Sequence, residues 1–178
     1  VEPGEYMEQV VVADGVDLVA RVPRSVTISR PLDLDPSLAG LTAGGTQPGR
    51  VSGIRLTAAV PSPGLTAINI TGARATLEPL EVAAPHTRAF SMAHGASLTM
   101  KGSRVGVNGT IVSVPDGAQV TFANSIFVRS APSTDPPIAA APSSRLTLAG
   151  NVFAGFDPEI VRGLNAARRD ELLKGNTI

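Results

Sequence analysis

No cysteine and no tryptophan occur in the 178 residues, and aromatic side chains make up only 3% of them. The missing cysteines remove a disulfide framework, a zinc–thiolate site and a cysteine nucleophile together. Charge is scarce as well: Asp, Glu, Lys and Arg reach 17%, with 15 acids against 15 Lys and Arg. A nucleic-acid partner is excluded on that balance, because such a binder carries a basic excess. A disordered chain is excluded too, since 43% of the residues are hydrophobic. Apolar runs such as 10–13 are far shorter than the roughly 20 residues a membrane helix needs, and no signal-peptide pattern opens the chain. No membrane insertion is therefore expected. Glycine (18) and proline (15) are what the sequence has in quantity, so turns are frequent.

Those turns punctuate a repeat. Gly95-Ala96-Ser97-Leu98-Thr99-Met100 matches Gly117-Ala118-Gln119-Val120-Thr121-Phe122, and both match Gly72-Ala73-Arg74-Ala75-Thr76-Leu77. Ser143-Ser144-Arg145-Leu146-Thr147-Leu148 fits without the glycine, and segments around Leu18 and Leu56 are weaker copies. The apolar residue before Thr falls at 18, 56, 75, 98, 120 and 146, the last four spaced by 23, 22 and 26 residues. A second apolar segment precedes each clear copy and a third follows it, each alternating with period two as strands do. A unit of about 22 residues with three short strands cannot bury its own inner face. Stacked units can, when every strand pairs in parallel with its copy above and below. The sequence predicts an all-β chain: a right-handed, single-stranded parallel β-helix of about five or six coils.

Directions follow from the alternation. Leu98, Val120 and Leu146 point inward, and Thr57, Thr76, Thr99, Thr121 and Thr147 form an outer column. Beside it stands a second outer column, Arg55, Arg74, Ser97, Gln119 and Arg145. Ser103, Ser125 and Asn151 fall at an inner turn, where they are expected to stack and hydrogen-bond along the axis. The β-helix is expected over 1–156, with an irregular loop insertion at 31–50. A C-terminal helical cap is expected over 157–178. Asp157-Pro158-Glu159 reads as a helix start and Asn165 as a second cap, with Leu164, Leu172 and Leu173 available to cover the last coil.

Val1–Leu18 resembles the opening coil of the pectin-lyase-like superfamily in its Pro3-Gly4-Glu5-Tyr6-Met7-Glu8 turn and its Gly15-Val16-Asp17-Leu18 step. The later coils, and Gly150-Asn151-Val152-Phe153, are similar to that superfamily's generic coils. The resemblance covers roughly 1–156. It implies the fold and leaves the chemistry open, because such coils serve lyases, hydrolases, tailspikes and non-catalytic domains alike. A strand normally precedes the Pro-Gly turn in that superfamily. Its absence, with the start at Val1 rather than Met, makes this an expected excised domain of a larger chain.

The superfamily's enzymes use clustered acids, with calcium or with Arg. Here the only acid from Thr87 through Thr134 is Asp116, in a Pro-Asp-Gly turn that needs no other explanation. His86 and His94 are eight residues apart and read as exposed turn residues. No Gly-x-Ser-x-Gly elbow and no phosphate-binding loop in its strand–helix context is present. No catalytic residue, no metal ligand and no cofactor is expected. The candidate ligand-binding residues are Arg55, Arg74, Ser97, Gln119, Arg145, Thr99 and Thr121 on the outer sheet face, with a saccharide or a protein as partner. The expected function is a non-catalytic binding or sensor module of a larger bacterial multidomain protein, such as a signalling serine/threonine kinase. The alternatives are a carbohydrate-active enzyme, a polyuronate lyase or esterase, and a structural assembly protein. Localisation is open between an extracytoplasmic and a cytoplasmic domain.

Overall fold

A computed structural model describes residues 1–178 except 32, 34, 36, 37, 59–63, 73, 84, 85, 157 and 158. Its strands wind into a parallel solenoid of about six turns, each turn giving one strand to each of three sheets. The first sheet stacks Gly4–Met7, Val26–Arg30, Ile54–Ala58, Leu80–Val82, Arg104–Val107, Ile126–Arg129 and Val152–Ala154. The second stacks Val10–Val12, Leu41–Ala43, Thr66–Ile70, Arg88–Met92, Thr110–Val114, Ile138–Ala140 and Val161–Arg162. The third stacks Asp17–Val19, Gly49–Ser52, Arg74–Leu77, Ser97–Lys101, Gln119–Ala123 and Arg145–Ala149.

Period-two alternation turns one set of side chains from each sheet into a shared interior. On the third sheet the inward file runs Leu18, Val51, Leu77, Met100, Phe122 and Leu148. Leu98, Val120 and Leu146 stand in register in the neighbouring file, as the repeat predicts, and all three are buried. The first sheet sends in Ile28, Leu56, Val82, Val105, Phe127 and Phe153. The second sends in Leu41, Ile68, Phe90, Val112, Ile138 and Val161. Each such side chain gains about 1.5–3 kcal/mol on burial, and none is buried within its own coil alone.

Two expectations are corrected by the register. Leu56 and Thr57 belong to the first sheet, where Leu56 pairs with Ile28 and Val82 and Thr57 pairs with Ser29. The third-sheet strand of that coil is Gly49–Ser52, and Leu18 lies level with Val51 and Leu77 rather than with Ala75. The stretch 31–50, expected as an irregular loop, contains the strand Leu41–Ala43, and the strand Gly49–Ser52 begins within it. Leu41 is fully buried between Val10 and Ile68. Three residues flanked by glycines look like loop in sequence, yet two neighbouring strands supply all their pairing.

The corner from the third sheet into the first is tight. Arg24, Gly53, Gly102, Asn124 and Gly150 all sit there with positive φ, between 49° and 73°. The residue next inward is Val26 or Ile54 or Leu80 in the lower coils and Ser103, Ser125 or Asn151 in the upper ones. Ser103 Oγ accepts from Leu80 N–H (3.0 Å), Ser125 Oγ from Ser103 N–H (3.2 Å) and Asn151 Oδ1 from Ser125 N–H (3.0 Å). The expected polar ladder therefore exists, and Asn176 extends it by accepting from Asn151 N–H at 2.9 Å.

Helix begins later than the sequence suggests. Asp157 and Pro158 lie outside the described residues, and Val161–Arg162 just beyond them form a strand. The helix is Ala166–Leu173, with Asn165 Oδ1 accepting from Arg168 N–H. Leu164, Leu172 and Leu173 pack against the core. Arg168 donates to Ser144 O at 3.0 Å, so the helix lies over the last third-sheet strand. Thr177 then bridges Val152 and adds a rung to the first sheet. At the opposite end Met7 and Val11 are each 66% exposed, and Val1 lies along the third sheet's first strand, donating to Val19 O and accepting from Arg21 N–H.

Candidate functional site

The outer face of the third sheet carries most of the residues singled out by the repeat. Arg74, Ser97, Gln119 and Arg145 are in continuous register, one per coil. Thr76, Thr99, Thr121 and Thr147 form the next column, with Arg50 and Asp17 continuing it into the lower coils. Strand spacing puts successive Thr residues about 4.8 Å apart. Lys101, Ala123 and Ala149 complete the upper part of the face. From Ser97 to Ala149 the surface is thus floored by short side chains, with Arg74, Lys101 and Arg145 at its margins.

Arg55 is not part of this surface. It stands on the first sheet between Thr27 and Glu81, with Nε 3.8 Å from Glu81 Oε1. Its coil is represented on the third sheet by Arg74, and Arg50 represents the coil before. Arg50 was not singled out because its strand lacks the Thr signature; the steps from Leu18 to Val51 and Leu77 are what would locate it. Arg50 also organises its neighbours. Its N–H donates to Asp17 Oδ1 at 3.0 Å, and its Nε lies 3.7 Å from Glu78 Oε1. Arg74 and Arg145 have no acidic partner among the described residues.

The acids do not converge. Glu78 faces Arg50 and Glu81 faces Arg55, while Asp116 accepts a hydrogen bond from Ser143 Oγ at 2.6 Å. Among the described residues no three of His, Asp and Glu gather closely enough to hold a metal ion. His94 is exposed, as expected of a turn residue.

His86 corrects the sequence reading, because it is 1% exposed instead of solvent-facing. Its Nδ1 lies 2.9 Å from Ala83 O, and its own carbonyl accepts from Asn108 N–H. The turn closes inward on the corner between the first and second sheets, which a single turn's sequence does not reveal. Burial lowers the pKa below the usual value near 6.5; the Ala83 hydrogen bond opposes this and the nearby Arg30 charge adds to it. The folded state thus binds this proton less readily than the unfolded chain. Stability is complete above about pH 6.5 and falls as the pH drops toward the lowered value. Urea unfolding at pH 7 and pH 5 checks this: His86→Asn should lose less stability between the two than the parent, and equal losses would refute it.

Arginines also hold the longer turns at that corner. Arg30 donates to Asp35 O at 2.7 Å and Leu38 O at 3.3 Å. Arg129 donates to Ser133 O at 2.8 Å and Asp135 O at 2.6 Å, and its guanidinium lies 4.7 Å from the Phe156 ring centre. These are structural roles: each guanidinium satisfies carbonyls that a short strand pairing cannot reach.

Geometry defines the class of protein: an all-β parallel solenoid with a short C-terminal helix. No family model matches the sequence, and no curated protein is significantly similar to it. No helix among the described residues is long and apolar enough to cross a membrane.

Proposed function

We propose that this chain is a rigid, non-catalytic binding or sensing module, pectin-lyase-like in descent, within a larger bacterial multidomain protein such as a signalling kinase. Its ligand is an extended anionic saccharide lying on the outer face of the third sheet. The observation that carries the reading is the register of that face. Thr76, Thr99, Thr121 and Thr147 offer hydroxyls at even intervals, and Arg74 and Arg145 flank them with no acidic partner among the described residues. Hydroxyls and guanidiniums at fixed spacing suit a polymer with hydroxyl and carboxylate groups. Among the described residues, Asp17 and Glu78 beside this face are both engaged by Arg50, which leaves no free carboxylate pair there for acid–base work.

Affinity electrophoresis through gels containing polygalacturonate tests the proposal. The parent should be retarded, and Arg74→Gln with Arg145→Gln should reduce the retardation at least fivefold. Equal migration in gels with and without polymer would refute it. Release of unsaturated product from polygalacturonate with calcium would instead establish the enzyme reading.

The exposure of Met7 and Val11 on the first-coil strands supports a second reading, assembly through strand edges. Light scattering that rises with protein concentration would support it, and a strict monomer would remove it.

A further inference from the structure

We propose that the corner between the third and first sheets is a docking groove for an extended acidic polypeptide segment. The groove encloses about 330 Å³, and Arg24, Pro79, Glu81, Arg104, Asn124 and Ile126 are among the residues lining it. It exists because the tight corner lacks bulk on its outer side. Gly102 has no side chain, and Leu80 and Ser103 turn inward into the buried file. The left-handed backbone at Arg24 (φ 66°), Gly102 (φ 56°) and Asn124 (φ 49°) makes the chain leave each third-sheet strand sharply.

Charge identifies the occupant. Arg24 and Arg104 have no acidic partner among the described residues, whereas Glu81, the only acid in the lining, is shared with Arg55. Arg104 stands beside Glu81 in register, so the lining carries two guanidiniums against one carboxylate that Arg55 already engages. Arg24 leads into the strand Val26–Arg30, and Arg104 opens the strand Arg104–Val107, three rungs further along the first sheet. Three rungs span about 14 Å, and Arg24 lies three residues before Thr27, the residue level with Arg104, so the two arginines are offset across the rungs as well as along them. An extended segment with acids spaced along it thus meets both arginines. Ile126, 44% exposed, and the Pro79 ring add an aliphatic shelf for an apolar side chain on the same segment. No aromatic ring lines the groove, and a sugar ring seats its C–H face best on one, so a peptide fits better than a saccharide. Guanidinium–carboxylate pairing supplies directional recognition. The groove shares no residue with the third-sheet face, so the inference stands apart from the saccharide proposal.

A blocked, fluorescently labelled heptapeptide with glutamates at its second and sixth positions and valines between them is the probe, followed by anisotropy at low ionic strength. Saturable binding is expected, weakened at least fivefold by Arg104→Gln and by Arg24→Gln and unchanged by Arg145→Gln. A lysine version of the peptide should not bind, and added salt should weaken the glutamate version. Circular dichroism melts establish that these exposed variants remain folded. Absence of saturable binding, or equal weakening by Arg145→Gln, would overturn the proposal. Binding of trigalacturonate that depends on Arg104 while the peptide fails would reassign the groove to saccharide.

Discussion

Replacing Asn151 with Leu should lower the unfolding free energy by about 2–5 kcal/mol, because it strands one buried N–H and removes two further hydrogen bonds. Asn151 is 1% exposed and serves two coils at once. Its Oδ1 accepts from Ser125 N–H at 3.0 Å, and its Nδ2 donates to Phe122 O at 2.8 Å and to Asn176 Oδ1 at 3.0 Å. Leu has similar volume and fills the space, so packing alone predicts little change; the unpaired Ser125 N–H and the lost bonds to Phe122 O and Asn176 Oδ1 predict much. At about 2–4 °C per kcal/mol for a chain of this size, the melting temperature should fall by roughly 5–15 °C. Asn151→Ser should recover part of that loss, since Ser103 and Ser125 accept the same kind of bond from the coil before. Thermal melts of both variants, with amide exchange read at Ser125, are the check. A Leu variant melting within a degree of the parent, with Ser125 still protected, would mean that the ladder contributes nothing net.

That ladder shows what a sequence of this kind discloses. Ser103, Ser125 and Asn151 could be found because the upper coils are nearly equal in length and all three follow the marker strand by the same interval. The lower coils gave no such footing. In the file Val26, Ile54 and Leu80 the same corner is apolar, and nothing local distinguishes it from any other strand start. The Thr57 error has the same origin. An apolar–Thr–apolar triplet suits any strand with one buried face, so it marks strands without saying which sheet they join. Register across coils decides that, and the steps between 18, 56 and 75 were already out of line with the later ones. His86 and Arg30 are a different case. Their burial depends on how turns from several coils close over one corner, and no single turn carries that information.

The third-sheet face was legible to the extent that it follows from period two alone: Arg74, Ser97, Gln119 and Arg145 are aligned as read. The groove at the next corner was not. It depends on absences, a glycine beside an inward-turned serine in one coil and an inward-turned leucine in the coil before, and on stacking that brings together arginines 80 residues apart in sequence. Stacking converts remote positions into neighbours at a fixed pitch. A ligand read by this protein is therefore measured in rungs, and each proposed surface predicts the spacing of charges on its partner.

The largest loss of stability should come from Phe127→Ala. All five phenylalanines of the chain lie in one continuous series. Phe127 is at its centre, with ring centres 5.0 Å from Phe122 and 5.0 Å from Phe153, the latter pair stacked at 9°. It is fully buried. Truncation of such a residue costs about 3–5 kcal/mol, and lost ring–ring contact contributes about 0.5–1.5 kcal/mol for each pair. The effect should also be uneven along the axis. Each coil contacts only its neighbours, so a weakened interface lets the parts on either side unfold separately. The coils below Phe127 keep the aliphatic files through Leu56, Leu77 and Ile68, whereas those above rest on Phe153, Phe156 and the helix. Urea unfolding of Phe127→Ala should therefore become broad or biphasic, with the C-terminal coils lost first in amide exchange. Phe127→Leu should stay cooperative and lose less than half as much, because an aliphatic side chain still fills most of the space. A single sharp transition for the Ala variant, displaced no further than that of Phe127→Leu, would show that the aromatic series does not tie the upper coils together.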